Sequence, residues 1–170
     1  MTYLIAVDVG IKNLGLVVYN CVDKRVCVWK RVDITEGEKY TPSKNVQYVH
    51  KLINAHAAYF AGASAVLIER QMRVNMRIIE AVVESVCYGT SVVIGAQSVK
   101  MHFSICMRNY KANKKRAVEW LQCHWGTFLP KFITNLRLDE IQKLWDAESK
   151  KDDLADSMLM LLYYLNTYKF

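Results

Sequence analysis

Thr2-Tyr3-Leu4-Ile5-Ala6-Val7-Asp8-Val9-Gly10-Ile11-Lys12-Asn13-Leu14-Gly15 is the stretch that decides the fold class. Thr2 to Val9 reads as a buried strand whose apolar run stops on a carboxylate, Asp8. The turn Gly10 to Leu14 then returns the chain into a second strand, Gly15 to Val22. A third, Val26 to Asp33, follows through the turn Asp23-Lys24-Arg25, so the chain opens as an antiparallel meander. Ala63 to Glu69 is a nearly continuous apolar strand, as the covered middle of a sheet requires. Ser91 to Gly95 is the fifth strand.

Helical patterns separate and follow these strands. Pro42-Ser43 introduces a helix with apolar positions Val46, Val49, Leu52, Ile53 and Ala57, with Ser43 expected as its N-cap. Met72 to Tyr88 reads as a helix closed by Gly89. A short segment, Ser98 to Met107, precedes a basic loop and a helix from about Asn113 to His124. The stretch 127–149 contains Pro130 and an amphipathic piece near Leu138 to Trp145, and is expected to be a helical insertion. The last helix spans about Lys151 to Tyr168. The expectation is a single α/β domain over residues 1–170, with a five-stranded mixed sheet flanked by helices.

Composition agrees with one compact unit. The chain has 170 residues, 52% of them apolar, with only two prolines and seven glycines. No apolar run approaches the ~20 residues that span a bilayer. The N-terminus enters a strand at once, which argues against a secretory signal or a transit peptide. Five cysteines without a CxxC pair read as reduced thiols, and four histidines without an HExxH pattern make zinc improbable. The net charge of +7 suggests an anionic partner, a weak signal taken alone.

Four acids sit where a solvated charge is not the expected choice. Asp8 and Glu69 each end an apolar strand, and Asp153 and Asp156 open the last helix in Lys150-Lys151-Asp152-Asp153-Leu154-Ala155-Asp156-Ser157. A carboxylate at the mouth of a buried strand is costly unless paired or holding a metal. Each has a plainer reading alone: a turn cap for Asp8, an ion-pair partner of Arg70 or Arg73 for Glu69, and dipole-favoured acids for the helix pair. In the last helix Leu154, Met158, Leu161, Leu162 and Leu165 form a core-facing stripe. Asp152, Asp153 and Asp156 fall off it, on a flank expected to be exposed. Spacing does not choose between Asp152 and Asp153 as the partner of Asp156.

The ordered set Asp8-Val9-Gly10-(x)2-Asn13-(x)-Gly15, Ile68-Glu69-Arg70-Gln71 and Lys151-Asp152-Asp153-(x)2-Asp156-Ser157 resembles the RuvC-type Holliday junction resolvases, most of all their poxvirus and mitochondrial branch. The resemblance runs in order over nearly the whole chain. It implies an RNase H-like fold, and catalytic and metal-binding roles for Asp8, Glu69, Asp153 and Asp156. It also implies a catalytic basic residue between the fifth strand and the end of the next helix, for which Lys115 is chosen first and Lys114 second. Two Mg²⁺ or Mn²⁺ ions per site would activate water and stabilise the leaving 3′ oxygen, giving a 5′-phosphate and a 3′-hydroxyl.

The resemblance further implies a four-way DNA junction as substrate and a homodimer that places two cuts symmetrically. Much of the dimer interface would come from the Met72–Tyr88 helix, through Ile78, Ile79, Val82, Val83 and Val86. Arg70, Arg73, Arg77, Lys100, Arg108, Lys111, Lys114 and Lys115 are candidate phosphate contacts. No membrane and no nucleotide cofactor are expected, and the host cytoplasm of a virus is favoured over a mitochondrion. Three other readings are weighed against this one. An ATPase or sugar kinase would need a second glycine-rich loop and a longer chain. An RNase H-fold nuclease acting on RNA–DNA hybrid needs no obligate dimer. A catalytically dead junction-binding protein would gain nothing from four acids.

Overall fold

The structure, a computed structural model, describes residues 2–107, 109–127, 129–132 and 138–168. Arg108 and residues 133–137 of the expected insertion lie outside the described residues. Five strands form one mixed sheet in the order β3-β2-β1-β4-β5. They are β1 Tyr3–Asp8, β2 Leu14–Asn20, β3 Arg25–Val32, β4 Ala63–Glu69 and β5 Ser91–Ile94. The pairs β1–β2 and β2–β3 are antiparallel, whereas β1–β4 and β4–β5 are parallel. The expected mixed sheet with an antiparallel opening is therefore present, with β1 at its centre.

The helices are α1 Asn45–Ala55, α2 Ala57–Ala61, α3 Val74–Val86, α4 Ala96–His102, α5 Tyr110–His124, α6 Leu138–Ala147 and α7 Lys151–Tyr168. Strand alternation divides the core into two layers, because successive side chains point to opposite faces. Ile5, Val7, Leu16, Val18, Val66 and Ile68 pack against α1 and α3 through Val49, Leu52, Ile79 and Val83. Leu4, Ala6, Val17, Ala65 and Leu67 pack on the other face against α4 to α7.

Two local expectations give way. Ser43 lies inside a 3-10 turn, Pro42–Lys44, and neither that turn nor α1 has a side-chain cap. The helix expected from Asn113 begins at Tyr110 because Asn109 caps it, its side chain accepting from the Lys111 N–H at 2.9 Å. Gly89, by contrast, takes the left-handed conformation expected just past α3, at φ +87°.

The largest correction concerns α7. It is buried nearly all round: besides the expected stripe, Ala155, Ser157, Leu159, Met160 and Tyr164 are buried. The acidic flank is not exposed, since Asp153 is only 5% accessible. Most of the helix is sandwiched between the sheet and α4 to α6; its exposed residues are confined to the last turn, 166–168. Its start runs directly over β2. A methyl group on Gly15 would lie 2.3 Å from the Asp153 carbonyl oxygen, so only glycine allows this approach.

The stretch 127–149 supplies part of the same core. Ile141 and Trp145 are buried, and Trp145 packs with Trp29 and Trp125 in an aromatic cluster. Trp29 donates its indole N–H to the Leu154 carbonyl at 3.0 Å, fixing the first turn of α7. No described helix is long and apolar enough to cross a membrane.

Candidate active site

Parity along the strands places the first two acids. Asp8 follows Leu4 and Ala6, and Glu69 follows Ala65 and Leu67, so both project to the α7 face of the sheet. In the parallel β1–β4 ladder Val7 lies opposite Ile68, which puts Asp8 and Glu69 side by side at the carboxyl ends of neighbouring strands. The charge of Glu69 acts directly on Asp8 there. The start of α7, held over Gly15, brings Asp153 and Asp156 to the same place. All four acids line one cleft of about 530 Å³, together with Lys100, Lys114 and Lys150.

The electrostatics record the crowding. Burial, followed by the charge of Glu69, pushes Asp8 well above the ordinary carboxylate range, and Asp156 and Asp153 add to the rise. Burial raises Asp156 to about 6, opposed by Lys100 and reinforced by Glu69. Three ammonium groups offset part of this charge. Lys100 Nζ lies 3.7 Å from Asp156 Oδ1, Lys114 Nζ 3.5 Å from Asp153 Oδ1, and Lys150 Nζ 2.9 Å from Asp153 Oδ2. Lys114 also hydrogen-bonds Asp152. Burial works against the charge on Asp152, yet Lys114 holds its carboxyl below the ordinary value.

Asp152 and Asp153 are thereby told apart. Asp153 faces the cleft and Asp152 does not line it, serving instead as the anchor of Lys114. Among the described residues no three acids converge on one point. The donor set nonetheless suits a hard divalent cation. It is carboxylate oxygen throughout, and Asp8 and Asp156 carry a repulsion that added positive charge would relieve.

The basic residues sort differently from expectation. Lys115 is 79% exposed, pairs with Glu119 at 3.5 Å and does not line the cleft. Lys114, 23% exposed, does. One residue turns a helix by about 100°; Lys114, three residues before the buried Ala117 and seven before Leu121, shares their inward face, and Lys115 is turned away from it. Lys100, expected on a DNA-facing surface, is 9% exposed in the cleft. Lys111 is exposed on α5 outside the cleft lining, and Arg70 and Arg73 lie along the cleft margin.

Lys150, Arg31 and Glu148 carry no sequence signal as contributors to the site, whereas Gln71 and Asn13 belong to the motifs that carry the resemblance. Gln71 donates its side-chain amide to Glu69 Oε2 at 2.9 Å. Arg31 of β3 donates to Asn13 Oδ1 at 3.0 Å and pairs with Glu148 at 3.4 Å, tying the turn after β1 to the segment before α7.

A family model described as Poxvirus A22 protein matches residues 2–167. A crystal structure of the fowlpox virus Holliday junction resolvase is similar at TM-score 0.68 and 16% identity, covering 98% of this chain and 99% of that one. The fowlpox virus resolvase in complex with substrate Holliday junction DNA is similar at TM-score 0.64 and 17% identity, covering 98% of both chains. Thermus thermophilus RuvC is similar at TM-score 0.56 and 15% identity, covering 98% of this chain and 96% of that one. No curated protein matches the chain. The structural likenesses establish an RNase H-like fold of the RuvC type. With a family model spanning all but its extreme residues, this chain belongs to the poxvirus A22 protein family.

Proposed function

We propose that this chain is a metal-dependent endonuclease that resolves four-way DNA junctions by paired symmetric nicks, leaving a 5′-phosphate and a 3′-hydroxyl. The observation that carries this reading is the meeting of Asp8, Glu69, Asp153 and Asp156 in one cleft lined also by lysines. The fowlpox virus resolvase, similar over 98% of the chain, is described with a Holliday junction as its substrate. Membership of a poxvirus family supports work in the host cytoplasm during viral DNA recombination.

Asp8, Glu69, Asp153 and Asp156 would hold two Mg²⁺ or Mn²⁺ ions, which supply a water of lowered pKa and charge stabilisation at the leaving oxygen. Lys114 is the catalytic lysine in this reading. Anchored by Asp152 at the cleft edge, it meets the scissile phosphate and neutralises charge developing on its oxygens. Lys100 stays beside Asp156 and limits the repulsion among the acids. Arg73, Lys111 and Lys115 take backbone phosphates along the approaching arms, which orients the junction without reading its bases. Residues 1–170 act as one nuclease domain, in which 127–149 braces the start of α7.

Two cuts on opposing strands require two sites, and a twofold dimer supplies them. The outer face of α3 suits that contact. A groove of about 480 Å³ between α1 and α3 is lined by Val46, Ile78, Val82 and Val86, among others. Ile79 and Val83 are buried within the subunit instead, so only part of the apolar excess on this helix is available.

The test is incubation of the purified chain with a synthetic four-way junction, a matching duplex and an RNA–DNA hybrid, with Mg²⁺ or Mn²⁺. Paired, symmetric nicks confined to the junction are expected. Cleavage of the hybrid in preference to the junction would refute the substrate assignment, and binding without cleavage would refute the enzymatic one.

A further inference from the structure

Glu80 is a buried acid that the cleft does not use. It sits in the second turn of α3, only 5% exposed, beside the core residues Ile79 and Val83 and across them from the groove-lining residues Ile78 and Val82. A lone carboxylate in an apolar helix face costs stability unless its oxygens are occupied. Both are. Glu80 Oε2 accepts the Gln71 backbone N–H at 2.7 Å, and Glu80 Oε1 pairs with Arg70 Nε at 3.3 Å.

These two partners are the residues that follow Glu69. The Arg70 N–H is itself tied to the Ile94 carbonyl of β5 at 2.8 Å, so the turn leaving β4 is held from two sides. Gln71, once its backbone is fixed, folds its side-chain amide back onto Glu69 Oε2 at 2.9 Å and onto the Glu69 carbonyl at 3.3 Å. The chain of contacts runs from α3 through Glu80 to the Gln71 backbone, and from the Gln71 amide to the Glu69 carboxylate. Glu69 crowds Asp8 in this buried corner, and the Gln71 amide keeps the Glu69 carboxylate from turning away.

We propose that Glu80 is a positioning residue for the metal-binding site: it clamps the Arg70–Gln71 turn so that Gln71 holds the Glu69 carboxylate in place for a divalent cation. The inference rests on the junction-nuclease reading of the cleft and names a residue outside it. It also makes α3 the element that carries the apolar groove on one side and orients a site acid on the other. Partners that orient a metal-binding carboxylate typically change metal affinity or activity by about 10- to 100-fold when removed.

The experiment titrates Mn²⁺ alone into the metal-stripped chain by calorimetry, for wild type, Glu80→Ala, Glu80→Gln, Gln71→Ala and the double variant Glu80→Ala/Gln71→Ala. Glu80→Ala is expected to weaken Mn²⁺ binding at least about tenfold. Glu80→Gln keeps an acceptor for the Gln71 N–H and should restore most of the loss. Gln71→Ala should reproduce the loss on its own, and the double variant should be no weaker than the weaker single one, since both act through one contact chain. Junction binding in EDTA should stay at the wild-type level in all of them.

Wild-type Mn²⁺ affinity in Glu80→Ala, even with a lowered unfolding temperature, would overturn the inference by making Glu80 structural only. Should Glu80→Ala fail to fold, Gln71→Ala and Glu80→Gln still decide, because wild-type affinity in Gln71→Ala breaks the chain of contacts. A wild-type chain that neither binds Mn²⁺ nor cuts junctions would overturn the nuclease reading and this inference together. Metal binding by wild type with unchanged affinity in the variants overturns the inference alone.

Discussion

Removing one charge from the acidic cleft should stabilise the metal-free protein, and only above a definite pH. Asp156 lines the cleft with its side chain 10% exposed, and burial raises its carboxyl from 3.8 to about 6. A group with a raised folded pKa contributes stability that is fully present below the unfolded value and is lost as pH rises through the folded one. Stability of the metal-free chain from this group therefore falls between about pH 4 and pH 6 and is flat above. The rise corresponds to about 3 kcal/mol, at ~1.4 kcal/mol per pH unit. Asp156→Asn mimics the protonated form, keeps an oxygen for Lys100 and lessens the repulsion felt by Asp8. In EDTA at about pH 7.5 the variant should be more stable than wild type by about 3 kcal/mol, or about 6–12 °C in Tm for a chain of this size. Near pH 4 the two should coincide, and added Mg²⁺ should stabilise wild type more than the variant. Thermal unfolding followed by circular dichroism across that range measures all three. A variant less stable than wild type at neutral pH, or an advantage independent of pH, would refute the account of the cleft as electrostatically overloaded.

Three further outcomes test the site from other sides. Asp8→Asn and Glu69→Gln should each abolish junction cleavage while binding in a gel-shift assay persists, and a variant cutting at the wild-type rate would remove that residue from the site. Lys114→Ala should lower the single-turnover cleavage rate by about 10²–10³-fold, whereas Lys115→Ala should leave cleavage and reduce the slope of log affinity against log salt by about one. Gly15→Ala should cost about 1–3 kcal/mol in denaturant unfolding and depress cleavage, because a methyl group there pushes the start of α7 away from Asp8.

The strand acids are legible in the sequence because they depend on a period of two. Asp8 and Glu69 each continue the parity of the apolar residues before them, and two parallel neighbours then share a face. The choice among lysines turns on which face of α5 meets the core, and the stretch Lys111 to Arg116 carries no large apolar residue to mark it; the face is set by Ala117 and Leu121 further along. The burial of α7 was hidden for a related reason. Its apolar residues suffice to mark one stripe, but a helix covered on every side needs only small or satisfied groups elsewhere. Ala155 and Ser157 meet that need, Ser157 by donating to the Leu154 carbonyl at 3.0 Å. The bracing by Trp29, Trp145, Arg31 and Glu148 is long-range in sequence and leaves no local pattern.

The three lysines explain how so much negative charge survives in a folded chain. Four carboxylates facing one cleft would each require a counter-ion, and the protein provides ammonium groups on flexible stems. Two of the cleft contacts, Lys100 with Asp156 at 3.7 Å and Lys114 with Asp153 at 3.5 Å, lie at or beyond the outer limit of hydrogen bonding. They supply attraction without locking the carboxylate oxygens. Asp152, away from the cleft lining, takes the close contact with Lys114 and so keeps that lysine near without occupying Asp153. A lysine hydrogen-bonded directly to each site acid would fill the positions that cation coordination needs. The looser contacts of Lys100 and Lys114 leave their partner oxygens available, whereas Lys150, 2.9 Å from Asp153 Oδ2, must move aside before a cation takes that oxygen.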